Sequence, residues 1–181
     1  MKIACIGWGS LVWRPEGLKI QDKWYEDGPL LQIELTRQSD DDRITLIIDT
    51  DKETKFVRTL WTLMTTENLD DAKRSLKVRE GTRDEYIHSI LTNEATHDQV
   101  KVIIKNWLEA KGLDAAIWTG LSYSKRTSRS RPSIDYVINH LKGLDSEKKK
   151  VAEEYIRKAP KQIDTLYRRG IELELGWSSV E

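Results

Sequence analysis

The hydrophobic pattern changes period near residue 65, and a chain that does this must combine sheet with helix. Before that point the apolar residues run continuously or alternate, as strand residues do. Residues 2–6 (KIACI) are almost unbroken and read as a buried strand. Residues 30–36 alternate, placing Leu31, Ile33 and Leu35 on one face, and residues 43–49 and 57–64 carry the β-branched and aromatic side chains of further strands. Asp40, Asp41 and Asp42 separate two of these runs and mark a hairpin that has no glycine.

Beyond residue 65 the spacing becomes helical. Leu69, Ala72 and Leu76 recur on one face, with Thr65 and Thr66 as candidate caps and Gly81 as the stop. Over residues 98–111 the residues Val100, Ile103, Ile104, Trp107 and Leu108 form one apolar stripe, Thr96 and Gln99 offer a capping box, and Gly112 ends the segment. Residues 114–121 return to strand character. A helix is expected from about Pro132 with Ile134, Val137, Ile138 and Leu141 inward, and another with Val151, Ala152, Tyr155, Ile156 and Ala159 inward. Pro160 interrupts the chain, and residues 161–174 restart as helix. Strands come mostly first and helices mostly later, so the expected class is α+β or a mixed small barrel, in one domain over 1–181 with a helical extension from about 132.

Several function classes are disfavoured. No run approaches the roughly 18 apolar residues of a membrane span, so no membrane partner is expected. The start MKIACIG lacks a small-residue cleavage pattern, and the single Cys5 has no internal disulfide partner; both fit a cytoplasmic protein. Residues 1–50 carry six basic and nine acidic side chains, whereas residues 121–170 carry thirteen basic and six acidic, an asymmetry able to attract an anion or a nucleic acid. The basic run KRTSRSR (125–131) lacks the interleaved aromatics of a nucleic-acid stacking platform and reads as a solvated loop. His88, His97 and His140 show no metal-ligand spacing, and no cysteine cluster exists, so no metal is expected.

Two short stretches hold the candidate chemistry. Gly7-Trp8-Gly9-Ser10 begins like a dinucleotide fingerprint, but Val12 stands where the third glycine is needed. The stretch is either an ordinary turn requiring positive φ or a set of converging backbone N–H groups that cradles an anion. Glu80 continues the stripe Leu69, Ala72, Leu76 by four residues, putting an acid where an apolar residue is expected. If the helix reaches it, burial and the helix C-terminus favour its neutral form and make it a general base near neutral pH. If the helix frays at Val78, Glu80 pairs with Arg79 or Arg83 at the surface. Arg37, ending an alternating strand, either projects into a cavity or pairs with the acidic turn that follows.

These stretches also carry a resemblance. IGWGSLVW (6–13) resembles the Y-G-S-L signature loop of the gamma-glutamylcyclotransferase family, which follows the first strand. LKVREGT (76–82) resembles the family's second signature, a Glu-Gly pair at a helix end some seventy residues on. The similarity covers roughly the first 120 residues and is to an outlying, bacterial-type group of that family. It implies a mixed small β-barrel with surrounding helices, Glu80 as the catalytic acid/base, and binding of a γ-glutamyl compound through Trp8, Gly9, Ser10 and Leu11; Arg37, from its place on the strand, is a further substrate-binding candidate. It implies no metal or organic cofactor and 5-oxoproline as product. Trp8 departs from the signature tyrosine, which keeps open a non-catalytic ligand-binding member of the same fold. The sequence leaves the oligomeric state open.

Overall fold

The unbroken apolar run at the start of the chain becomes β1 (Ile3–Gly7), buried along its whole length. Then follow β2 (Leu30–Gln38), β3 (Ile44–Ile48), β4 (Phe56–Arg58), β5 (Leu60–Leu63), α1 (Leu69–Glu80), β6 (Ile87–Leu91), α2 (Gln99–Lys111), β7 (Ala115–Thr119), α3 (Ile134–Gly143), α4 (Ser146–Lys158) and α5 (Leu166–Leu175). The computed structural model describes residues 1–180, and the class is α+β. The chain forms two units, each discontinuous in sequence. The first contains Met1–Gly7, Arg14–Leu31 and Arg58–Gly120; the second contains Trp8–Trp13, Gln32–Val57 and the chain from Leu121 onward.

The first unit is built on a sheet of order β5-β1-β7-β6. Strand β1 runs parallel to β7, with Cys5 opposite Ile117, and antiparallel to β5. Strand β6, which the sequence pattern does not announce, pairs antiparallel with β7. Helices α1 and α2 pack on β6 and β7, burying Leu76, Ile104 and Leu108 completely. The outer edge of β5 is met by bridges from Ile20 to Met64 and from Tyr25 to Trp61. Asp27 fastens that strap, accepting the indole N–H of Trp61 at 2.8 Å, while its backbone carbonyl takes that of Trp107 at 3.0 Å.

The caps differ in detail from the sequence expectation. Asn68, not Thr65 or Thr66, caps α1 by accepting from the Asp71 amide, and Thr66 holds the amide of Asn68 instead. Asp98 caps α2 through the Lys101 amide, with Thr96 again one step behind. Both helices end as expected, in left-handed glycines, Gly81 at φ 58 and Gly112 at φ 63.

The second unit carries a sheet of order β3-β2-β4. Leu31, Ile33 and Leu35 are buried, as their alternation requires. The acidic hairpin forms, and Asp42 itself adopts the positive φ of 65 that a glycine would otherwise supply. Residues 57–64 do not form one strand: Thr59 divides them into β4 and β5, which belong to different sheets. Neither sheet closes on itself, so the expected small barrel is not formed: β5 and β6 remain the ends of one sheet, and β3 and β4 the ends of the other. Helix α3 packs on α4 and α5, and α4 on β3. Val151, expected inward, is exposed; Ala152, Tyr155, Ile156 and Ala159 form the buried face.

A buried acid joins β2 to α5. Glu34 accepts the Leu35 amide at 2.8 Å and, across the unit, the amide of Tyr167 in the first turn of α5 at 3.3 Å. Burial pushes this carboxyl up from its ordinary range, against the hydrogen bonds from Thr165, Leu35 and Tyr167 that hold it down. A raised folded-state value means that the native protein keeps a proton the unfolded chain releases. Glu34 therefore supports the fold fully below about pH 4.3, the unfolded value, and that support is lost as pH rises through the folded value. Glu34→Gln, which cannot ionise, is expected to gain stability relative to wild type as pH rises above about 4.3. Thermal melts of both proteins across pH check this; a constant difference between them would contradict it.

Candidate functional site

The segment after β1 is a turn closed by its own hydrogen bond, from the Val12 amide to the Gly9 carbonyl at 3.0 Å. No residue from Gly7 to Trp13 has positive φ. The turn thus does not require left-handed glycines, and the alternating right- and left-handed backbone of an anion nest is not formed. The amides of Ser10 and Leu11 occupy its two central positions. Leu11 is buried and Ser10 half-buried.

Gly9 is needed for a different reason. A Cβ there would lie 2.7 Å from the hydroxyl of Tyr155 on α4. That hydroxyl accepts the Leu46 amide of β3 at 3.2 Å, and the indole N–H of Trp8 donates to the Leu46 carbonyl, also at 3.2 Å. Strand β3 ends its sheet, so these two aromatic side chains satisfy backbone groups that a further strand would otherwise take. Tyr155 is held in place by an edge-on Trp13, 5.5 Å between ring centroids, and by the guanidinium of Arg43 over its face. Trp8 is 6% exposed and its one side-chain N–H donor is spent inside the protein.

Glu80 is the last residue of α1, which does not fray at Val78. Both alternatives read from the sequence are partly realised. The helix carries the acid through to a position where its side chain is 17% exposed, and Glu80 pairs with Arg79, Oε1 accepting from Nη1 at 2.5 Å. Arg79 also donates twice to the Arg14 carbonyl, at 3.0 and 2.6 Å. Glu80 is therefore an ion-paired carboxylate at the end of a helix. It stands close enough to β1 to act on Cys5, whose thiol is pushed up first by burial and then by the Glu80 charge.

Arg37 neither pairs with the acidic turn nor stands apart. It follows an irregularity in the β2–β3 register between Leu35 and Arg37, and its Nη1 donates to the Ser122 carbonyl at 2.8 Å. The acidic turn is met by other cations: Asp41 by Arg43, and Asp42 by Arg126 and Lys148. The run 125–131 is more than a solvated loop. Arg126 is used at Asp42, and Arg131 enters the interior of its unit, where it bonds Asp49 at 2.9 Å, the Tyr167 hydroxyl at 2.9 Å and Thr54 at 3.3 Å. Two of the four cations of the run are thus engaged within the protein. Among the described residues no group of three or more His, Cys, Asp or Glu side chains is placed to hold a metal ion, and no helix is long and apolar enough to cross a membrane.

Sequence reasoning missed Tyr155 as a companion of the turn. Its helical spacing marks it as a core residue, and nothing in the local pattern says that its hydroxyl reaches Gly9. No family model matches the chain, and neither the curated proteins nor the solved structures compared with it give a match.

Gly9→Ala is expected to cost about 1–3 kcal/mol, as an overpacked site does. Tyr155→Phe removes the hydroxyl and leaves the nearest ring carbon 3.7 Å from the new methyl. Denaturant melts should give a combined cost for the double variant below the sum of the two single costs; simple additivity would mean that the hydroxyl is not what the methyl meets.

Proposed function

We propose that the protein is a cofactor-independent enzyme of the gamma-glutamylcyclotransferase type, converting a γ-glutamyl amine or peptide into 5-oxoproline and the free amine. The observation that carries this reading is the position of Glu80: α1 runs unbroken to it, Gly81 ends the helix at once, and the half-buried carboxylate stands beside β1 near Cys5, two residues before Gly7. The order of the two signature-like stretches, IGWGSLVW and LKVREGT, supports it further.

The chemistry asks little more than a proton acceptor and a folded substrate. The α-ammonium of the γ-glutamyl group loses a proton to the Glu80 carboxylate. The freed amine attacks the γ-carbonyl carbon, forming the C–N bond of a five-membered ring. As the original amide C–N bond breaks, Glu80 returns the proton to the departing nitrogen, and the surplus proton of the ring nitrogen passes to the released amine, leaving a neutral lactam and an ammonium ion. Holding the amine against the carbonyl is worth at most about 7–11 kcal/mol of barrier. The loop resemblance assigns recognition of the γ-glutamyl group to Trp8–Leu11, where the Trp8 indole N–H already serves Leu46. Arg37 supports the segment around Ser122.

One observation favours a second reading, a non-catalytic ligand-binding protein. Arg79 sits directly on the Glu80 carboxylate and must share it with any proton that arrives. Turnover separates the two. Glu80→Gln preserves the shape of the side chain and an acceptor for Arg79, and is expected to lower 5-oxoproline release by about 10²–10⁴-fold with the fold retained by circular dichroism. A folded Gln variant with wild-type turnover overturns the mechanism, and a wild-type protein that binds γ-glutamyl compounds without releasing 5-oxoproline establishes the second reading.

A further inference from the structure

The hydroxyl Oγ1 of Thr119, the last residue of β7, is buried and has no hydrogen-bond partner among the described residues. Buried polar atoms are nearly always satisfied, because an unmade hydrogen bond in the interior forfeits the solvation the group had in water. Thr119 costs the ligand-free protein something that valine would not.

Its surroundings indicate the use. Strands β1 and β7 run parallel with Cys5 opposite Ile117. Two residues further along each lie Gly7 and Thr119, and alternation puts them on the same face as Cys5 and Ile117. The neighbour across the β1 side therefore has no side chain. On the other side Thr119 pairs with Ile87, the first residue of β6. Helix α1, which packs on β6 and β7, ends at Glu80 with six residues between it and β6, and the Glu80 charge acts on Cys5 of this same face.

We propose that Thr119 is a substrate-binding residue of the Glu80 site, its Oγ1 hydrogen-bonding a polar atom of the γ-glutamyl compound above Gly7. This rests on the cyclotransferase reading. A hydroxyl both donates and accepts, so it can serve the carbonyl oxygen or the amine of the glutamyl unit. Loss of one such bond weakens binding by about tenfold.

Thr119→Val and Thr119→Ser separate this role from a structural one. Binding of 5-oxoproline by calorimetry, turnover of γ-glutamyl-alanine, and the thermal midpoint without ligand are measured for both variants and for wild type. The Val variant is expected to bind about tenfold more weakly, to show the loss mainly in KM, and to melt no lower than wild type; the Ser variant is expected to bind as wild type does. A Val variant with wild-type affinity, or one whose ligand-free midpoint drops by several degrees, overturns the assignment and leaves the chemistry of Glu80 standing. A wild-type protein that neither binds 5-oxoproline nor turns over the dipeptide overturns both.

Discussion

The backbone of Leu46 sets the conditions for the second unit. A strand at the end of a sheet exposes N–H and C=O groups that must be hydrated, paired or covered. Here both groups of one residue are taken by side chains, the amide by the Tyr155 hydroxyl and the carbonyl by the Trp8 indole. Those two bonds bring the turn after β1, the strand β3 and the helix α4 to one point. They also account for the residue types found there. Position 8 needs a ring that can donate, position 155 needs a hydroxyl at the tip of a long rigid side chain, and position 9 must have no side chain because that hydroxyl occupies its space. The indole at position 8 has a structural use: its N–H answers a carbonyl inside the unit.

The periodic elements were legible because burial imposes periodicity. The alternation of Leu31, Ile33 and Leu35 and the stripe of Leu69, Ala72 and Leu76 reappear as buried faces, and Gly81 and Gly112 end their helices in the left-handed conformation. What failed was whatever depends on a distant partner. Strand β6 is short and partly exposed, and only its pairing with β7 makes it a strand. The apolar run 57–64 was divided by Thr59, whose amide and hydroxyl are both taken by the Pro29 carbonyl. Thr65 and Thr66 gave way to Asn68 as a cap, a difference of two or three residues that sequence pattern does not resolve. For the candidate site, Glu80 was legible as an acid in an apolar register. The engagement of Trp8, the approach of Tyr155 and the idle hydroxyl of Thr119 were not, because each is a relation between residues far apart in sequence.

The charged interior of the second unit shows why a basic run is a poor guide to partners. Arg131 belongs to a sequence that looks like a phosphate-seeking loop, yet every one of its guanidinium nitrogens meets a group within its own unit: Asp49, Tyr167 and Thr54. Asp49, in turn, is held below the usual carboxylate range by Tyr123 and Arg131 against the cost of burial. Glu34 lies nearby in the same unit with no comparable ion pair, and its carboxyl moves the opposite way. Two buried acids of one unit thus differ according to whether a cation was supplied, which is a property of the assembled unit.

The chain passes from one unit to the other at residues 7–8, 13–14, 31–32, 57–58 and 120–121. Neither unit can be cut out as a contiguous piece of polypeptide. A fragment ending at residue 120 would contain every residue of the first unit, but it would also carry Trp8–Trp13 and Gln32–Val57 without the helices that belong with them. The helices after residue 132 therefore cannot be regarded as a late appendage to a finished domain, and modular exchange by simple gene fusion is closed to this architecture. During synthesis, β2 and β3 must wait for the carboxy-terminal third of the chain before their unit can be completed.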